Sequence, residues 1–194
     1  MTIYTAAITL ILVMDPLGNV PLFLSVLKNT SSRKQAWVIF RETFIAFTIL
    51  TVFLFFGRNI LHGLHITQAA LNIAGGIILF IIALRMIFPH PDVPQHGESI
   101  QGEPFIVPLA IPLIAGPASL ATVMLFASQQ PSKMFSWFIA LLIAAVFCTL
   151  VLLCSRFLMK ILRERGLIAL ERLMGMILTT LAVQMFLTGL DSYL

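Results

Sequence analysis

Apolar runs of bilayer length, six of them, take up almost the whole chain and dictate what it can fold into. A helix needs about 20 residues to cross the hydrocarbon. The runs fall at Thr2 to Leu27, Ala36 to Gly57, Ile66 to Phe88, Phe105 to Ser128, Met134 to Ser155, and Leu173 to Leu190 with a start a few residues earlier. Charge inside them is sparse: Asp15 in the first, Arg41 and Glu42 near the start of the second, Arg85 near the end of the third. With 10% charged residues and a mean hydropathy of +1.02, the chain cannot clothe a water-facing surface, which usually takes about 25%. Lipid must be the solvent for most of it, and 194 residues leave no room for a soluble domain. Outer-membrane barrel strands would alternate over about ten residues, and these runs do not. The expected fold is all-α and polytopic, with six transmembrane helices.

The net charge of +4 does not point to nucleic acid, because the basic residues lie in short loops between apolar runs and not on a polar face. Those loops set the orientation. Lys28, Arg33, Lys34, Arg85, Arg156, Lys160, Arg163 and Arg165 share one side, against Arg58 and Lys133 on the other. The first side is read as cytoplasmic. Both termini then face the periplasm, and residues 89–104 form a cytoplasmic loop. No cleaved leader is expected, since the first run lacks a basic start and a cleavage site. Cys148 and Cys154, six apart on one helix, point to different faces, so neither a disulfide nor a metal site is expected.

The third and sixth runs align at an offset of 99. Ala70, Leu71, Gly76, Ile78, Leu79, Ala83 and Met86 meet Ala169, Leu170, Gly175, Ile177, Leu178, Ala182 and Met185. The first and fourth runs align at 101, with Pro16 on Pro117 and Gly18 on Ser119. Two close offsets suggest one duplication, residues 1–88 and 105–194. Three spans per copy is odd, so the second copy enters from the opposite side: a 3+3 inverted repeat.

Asp15 lies about 20 Å along a helix from either end of its run, near midplane. A charge there costs several kcal/mol, roughly 2.5–3.5 on the lenient insertion scale, so it must face the bundle interior, a cavity or a partner, or be protonated. Pro16 and Pro21 withdraw N–H groups and crowd the carbonyls of Leu12 and Leu17. Gly18 loosens the turn, and Asn19 is a candidate cap for a restarted helix. The fourth run repeats the pattern with Pro108, Pro112, Gly116 and Pro117, and Ser119 as its cap. Helices 1 and 4 are therefore expected to be discontinuous. Half-helix N-termini suit a carboxylate, and freed carbonyls with Asp15 suit an ammonium or a cation; together they describe a site for a small zwitterion. Proline kinks made for packing are the alternative.

At these residues the chain resembles the MarC family of bacterial inner-membrane proteins, also described as the six-span neutral amino acid transporter family. The resemblance rests on Asp15 to Pro21 (DPLGNVP), Asn72 to Gly76 (NIAGG) and Pro112 to Pro117 (PLIAGP), and it runs the length of the chain. It implies uptake of small neutral amino acids such as glycine or alanine, coupled to a proton or sodium gradient, in the inner membrane. An exporter or channel for another small solute is the runner-up, and a non-transporting assembly factor the third class.

The substrate site is thus expected at Asp15, Pro16, Gly18, Asn19, Asn72, Gly75, Gly76, Gly116, Pro117 and Ser119, with Asp15 and Glu42 as candidates for the coupling ion. Small residues at helix contacts are the ordinary reading of Asn72, Gly75 and Gly76. Arg41 and Glu42, as neighbours, are expected on different helix faces, with Arg41 reaching the interface; the ordinary reading of Glu42 is an interfacial ion pair. His90, Asp92, His96 and Glu98 would be a metal set only if the loop folded around one. No cofactor is expected: there is no Gly-rich phosphate loop, and no span carries a His to activate Ser119. Lipids are the expected partners. A homodimer fits so small a chain, though nothing in the sequence marks its interface.

Overall fold

The computed structural model describes residues 2–27, 31–63, 65–88 and 114–193. Seven helices account for nearly all of them: α1 (Ile3–Met14), α2 (Val20–Val26), α3 (Ser32–Gly63), α4 (Gln68–Ile87), α5 (Pro117–Gln129), α6 (Met134–Leu153) and α7 (Ser155–Asp191), with a short 3₁₀ turn, Pro131–Lys133, before α6. Hydroxyl caps start two of them. The Thr2 hydroxyl accepts from the Thr5 N–H at 3.3 Å, and the Thr67 hydroxyl from the Ala70 N–H at 3.2 Å, satisfying donors a helix start leaves open.

The chain is an all-α polytopic membrane protein. Among the described residues, four stretches are long and apolar enough to cross a bilayer: Arg33–Gly57, Gln68–Ile87, Pro131–Leu153 and Arg165–Asp191. The first expected span is divided. Its apolar half, Ile3–Met14, has 12 residues, about 18 Å of helix, and α2 resumes after a turn over residues 15–19. The first half of the fourth expected span lies outside the described residues, as does the 89–104 loop with His90, Asp92, His96 and Glu98; α5 is its second half.

Two expected loops are helical instead. Residues 58–63 continue α3, which stops at Gly63, two residues before His65 in a left-handed conformation (φ 55°). Most of the basic stretch Arg156–Gly166 belongs to α7, interrupted by a kink at Arg163 (φ 54°, ψ −179°). Basic residues are good helix formers, so a charged segment between spans reads the same whether it is a loop or a solvated helix end.

Glycine sets the closest helix pair. A β-carbon on Gly76 of α4 would lie 2.8 Å from the Ala182 carbonyl oxygen and 2.9 Å from the Phe186 nitrogen, both backbone atoms of α7. One on Gly175 of α7 would lie 3.0 Å from the Ala83 carbonyl oxygen of α4, and one on Gly189 2.9 Å from that of Ala69. The contacts descend α4 as they ascend α7, so the two helices are antiparallel. They are also reciprocal. Gly76 meets Ala182 and Gly175 meets Ala83, each partner displaced by the same 99 positions, as in a contact across a two-fold axis. A further pair follows the same exchange: α4 packs on α5, and α7 packs on α2, the segment matched to α5 at the offset of 101.

The main core gathers Leu10, Met14, Phe23, Leu50, Leu54, Ile114, Trp137, Leu141 and Leu152 between α1, α2, α3, α5 and α6. Outward positions stay apolar: Phe44, Phe55, Phe56, Ile81, Ile143, Val146, Phe147, Met176 and Leu187 are all exposed, which fits a surface solvated by lipid tails.

Gly76→Ala is expected to cost about 1–3 kcal/mol of stability, because backbone atoms cannot yield to the added carbon. Gly63→Ala, whose β-carbon would meet open space, is the control. Thermal unfolding in detergent should separate the two, and equal midpoints would rule out the close contact as a determinant of stability.

Candidate functional site

The first break is built by Asp15. Helix α1 ends at Met14, and Asp15 takes a left-handed conformation (φ 44°, ψ 59°), with its N–H shared between the Ile11 and Leu12 carbonyls at 3.0 and 3.2 Å. Such a conformation costs an L-residue roughly 1–2 kcal/mol, and Asp tolerates it better than most. The side chain compensates locally: its Oδ1 accepts the Gly18 N–H at 3.0 Å. Pro16 and Gly18 are buried in the turn. A β-carbon on Gly18 would run into the Asp15 carboxylate and the Met86 methyl, so a larger residue there must displace both side chains. Pro21 falls in the first turn of α2, where a missing N–H costs nothing; it does not break a helix at Leu17.

The second break, expected in the fourth span, is described from Ile114 onward, and there the start of α5 carries a bond of the same kind. Pro117 opens α5 with Gly116 (φ −77°, ψ 168°) as its cap residue, and no side chain caps the first turn. Ser119 donates its hydroxyl to the Ile114 carbonyl at 3.1 Å. In the first break the Asn19 amide donates to the Met14 carbonyl at 3.0 Å. Both bonds reach back five residues, and the two sets differ by 100 positions, between the two offsets in the sequence. Asn19 and Ser119 were expected to accept as N-caps. They donate instead to carbonyls left open at these positions, which in hydrocarbon have no water to turn to.

The breaks meet through a small apolar cluster: Val13 before the first, Ala118 after the second, and Leu79, Ala83, Leu178 and Ala182 from the antiparallel pair. Gly75 brings α4 against the second break, its β-carbon position 3.1 Å from the Ala121 methyl and 3.5 Å from the Pro117 carbonyl oxygen. Asn72, on the same helix, is buried with its Oδ1 unpartnered among the described residues. Gly76 does not join this group; it faces α7 and belongs to the scaffold. An apolar groove of about 280 Å³ beside it, lined by Ile77, Phe80, Ile81, Val183 and Phe186, offers nothing to a zwitterion.

Glu42 stands apart, on the stripe of α3 with Val38, Ile39 and Ala46 that packs into the main core. It is paired with Arg41 through one oxygen, at 2.7 Å from Nη2 and 2.9 Å from Nε, while Oε2 has no partner among the described residues. Adjacent residues leave a helix on different faces, but the long arginine stem folds back across that gap. The guanidinium also lies 4.9 Å from the centre of the Trp37 ring, a cation–π contact. Cys148 is buried and Cys154 exposed, both as free thiols.

Three residues near the breaks escape the sequence reading. Met86 and Met185 approach Gly18 and Gly75, and only their identity across the repeat marks them. Glu171, half-buried on α7, holds the repeat position of Asn72, and its charge acts on Asp15.

Asn19→Ala and Ser119→Ala are each expected to lower stability by about 1–3 kcal/mol, the cost of a buried carbonyl left without its donor. Thr48→Ala, which removes an exposed hydroxyl bonded to the Phe44 carbonyl, should change it little. Chemical or thermal denaturation of the detergent-purified protein measures this; losses no larger than that of the control would remove the locks from the account of the breaks.

Comparison with known proteins agrees over the full length. The family model for the MarC family integral membrane protein matches residues 1–194. The chain is 48% identical over 192 residues to the UPF0056 inner membrane protein YhgN of Escherichia coli (strain K12), covering 99% of this chain and 98% of that one. It is 46% identical over 191 residues to a UPF0056 membrane protein of Buchnera aphidicola subsp. Schizaphis graminum, at 98% and 97% coverage. A UPF0056 membrane protein of Chlamydia pneumoniae is 36% identical over 178 residues, at 91% and 88% coverage. No solved structure matches. The chain belongs to the MarC family of integral membrane proteins.

Proposed function

We propose that the protein is a secondary transporter of small neutral amino acids, of glycine or alanine size, driven by an ion gradient across the bacterial inner membrane. The observation that carries this reading is the pair of helix breaks. Each is locked by a side chain donating to the carbonyl five residues back, and the two are joined through one buried cluster beside a buried Asp15. Broken helices at the meeting of two inverted repeats are where secondary transporters bind their solutes. On this reading the six spans form a 3+3 inverted repeat, residues 1–88 and 105–194, with both termini periplasmic. Tyr4 and Tyr193, exposed near the two chain ends, then sit in one interfacial belt and Trp37 in the opposite one.

The uncapped first turn of α5 presents N–H groups and the positive end of a helix dipole to the solute carboxylate. Asp15 holds the ammonium group or carries the coupling proton, and Asn72 supplies an acceptor through its unpartnered Oδ1. Glu42, buried and bound through one oxygen only, is a second candidate for the coupling ion. Closure around the solute would displace the apolar cluster between the breaks, which explains how the site can be dry in one state and polar in another.

Uptake of labelled alanine or glycine into proteoliposomes, with and without proton and sodium gradients, tests this directly. Saturable flux that collapses with the gradient is expected. Asp15→Asn should lower it about 10- to 100-fold, as for loss of a charged hydrogen-bond partner. No flux of any small amino acid would refute the substrate, and non-saturating flux indifferent to gradients would indicate a channel.

A further inference from the structure

Met86 and Met185 stand at equivalent positions of the repeat, near the end of α4 and toward the end of α7. Because α4 and α7 are antiparallel, the two methionines lie toward opposite ends of the pair. Each sends its terminal methyl onto a glycine, Met86 onto Gly18 in the first break and Met185 onto Gly75 of α4, which faces the start of α5. The Met86 Cε occupies the place a β-carbon on Gly18 would take, and the Met185 Cε comes within 3.3 Å of the equivalent point on Gly75, beside the Pro117 carbonyl. Their neighbours across the repeat, Leu79 with Leu178 and Ala83 with Ala182, are buried, whereas both methionines are half-buried at the edge of the cluster that joins the breaks.

We infer that Met86 and Met185 are the specificity-determining side chains of the site, one closing each break and together limiting the solute to a small one. The inference rests on the transport reading above. The chemistry suits the task. A thioether side chain is unbranched and turns about three bonds, so it vacates its glycine at little cost where a branched residue would not. A solute seated against the turn at Gly18 or against Pro117 lies within reach of these methyls. The space left when they swing aside, and not the backbone, then sets the largest side chain the site takes. Glycines at the contact points leave no β-carbon to share that limit.

The test compares leucine with alanine flux in proteoliposomes holding the full chain. The ratio is internal to each preparation and does not depend on how much protein folds. Met86→Ala and Met185→Ala should each raise the leucine-to-alanine ratio about tenfold, the scale on which pocket volume discriminates methylene groups. Met86→Leu and Met185→Leu, which keep the volume but branch the side chain, should not raise the ratio above the wild-type value. Unchanged ratios in both alanine variants alongside normal wild-type alanine uptake would overturn this inference alone. Absence of any alanine or glycine uptake by the wild type would overturn the transport reading, and this inference with it.

Discussion

In hydrocarbon a backbone N–H or carbonyl has no water to fall back on, and each one left open costs several kcal/mol. That constraint makes the chain all-helical, and it makes the two interruptions informative. A helix that stops inside a membrane domain must settle the carbonyls it frees. Here Asn19 settles the Met14 carbonyl and Ser119 the Ile114 carbonyl, while Asp15 gives its N–H to the end of α1 and takes the Gly18 N–H in return. The breaks are thus closed structures held by named donors, and both are set in the protein interior, where such irregular backbone is tolerated.

What keeps them interior is the α4–α7 pair. Without a hydrophobic drive to associate in lipid, helices hold together by close packing, and small residues permit it. Gly76, Gly175 and Gly189, with Ala69, Ala83 and Ala182, bring the two backbones into contact along their length. The same pair supplies Leu79, Leu178, Ala83 and Ala182 to the cluster between the breaks. One contact surface therefore lies beside both sites, and its two matched methionines reach different partners, Met86 the turn at Gly18 and Met185 Gly75 of α4.

Four of the expected spans were legible in the sequence because lipid burial imposes long uncharged runs, and the turn at Asp15 because proline, glycine and a lone aspartate are costly inside an apolar run. Of the residues matched between α4 and α7, Gly76, Ala83, Gly175 and Ala182 are ones that touch. Ends of helices were not. Residues 58–63 and 156–162 carry charge outside the span, and neither propensity nor hydropathy separates a solvated helix from a loop there. Side-chain direction was also hidden. Gly75 and Gly76 are adjacent, yet one faces the second break and the other faces α7. Asn19 and Ser119 were recognisable as partners of the broken backbone, but whether each would donate or accept depended on which group the turn left open. Arg41 and Glu42 pair because the reach of the arginine stem outweighs the angular separation of neighbours on a helix.

Asp15 illustrates how tightly such a site constrains its own sequence. Its left-handed backbone ends α1, and its Oδ1 fixes the turn through Gly18. A β-carbon on Gly18 would strike the same carboxylate, its Cγ standing 2.8 Å away. The acid therefore imposes the glycine, and the glycine in turn makes room for the Met86 methyl. The turn carbonyl of Asp15 receives the Asn19 N–H at 3.1 Å, which brings the Asn19 amide back toward Met14. Four residues, three in the turn and one on α4, are mutually dependent. Replacing the carboxylate would perturb a helix stop, a turn and a packing contact together with any charge it carries for a solute. Loss of transport in Asp15→Asn consequently speaks for a charge only when the turn survives, and the amide, which keeps an oxygen acceptor for the Gly18 N–H, is the substitution that preserves it.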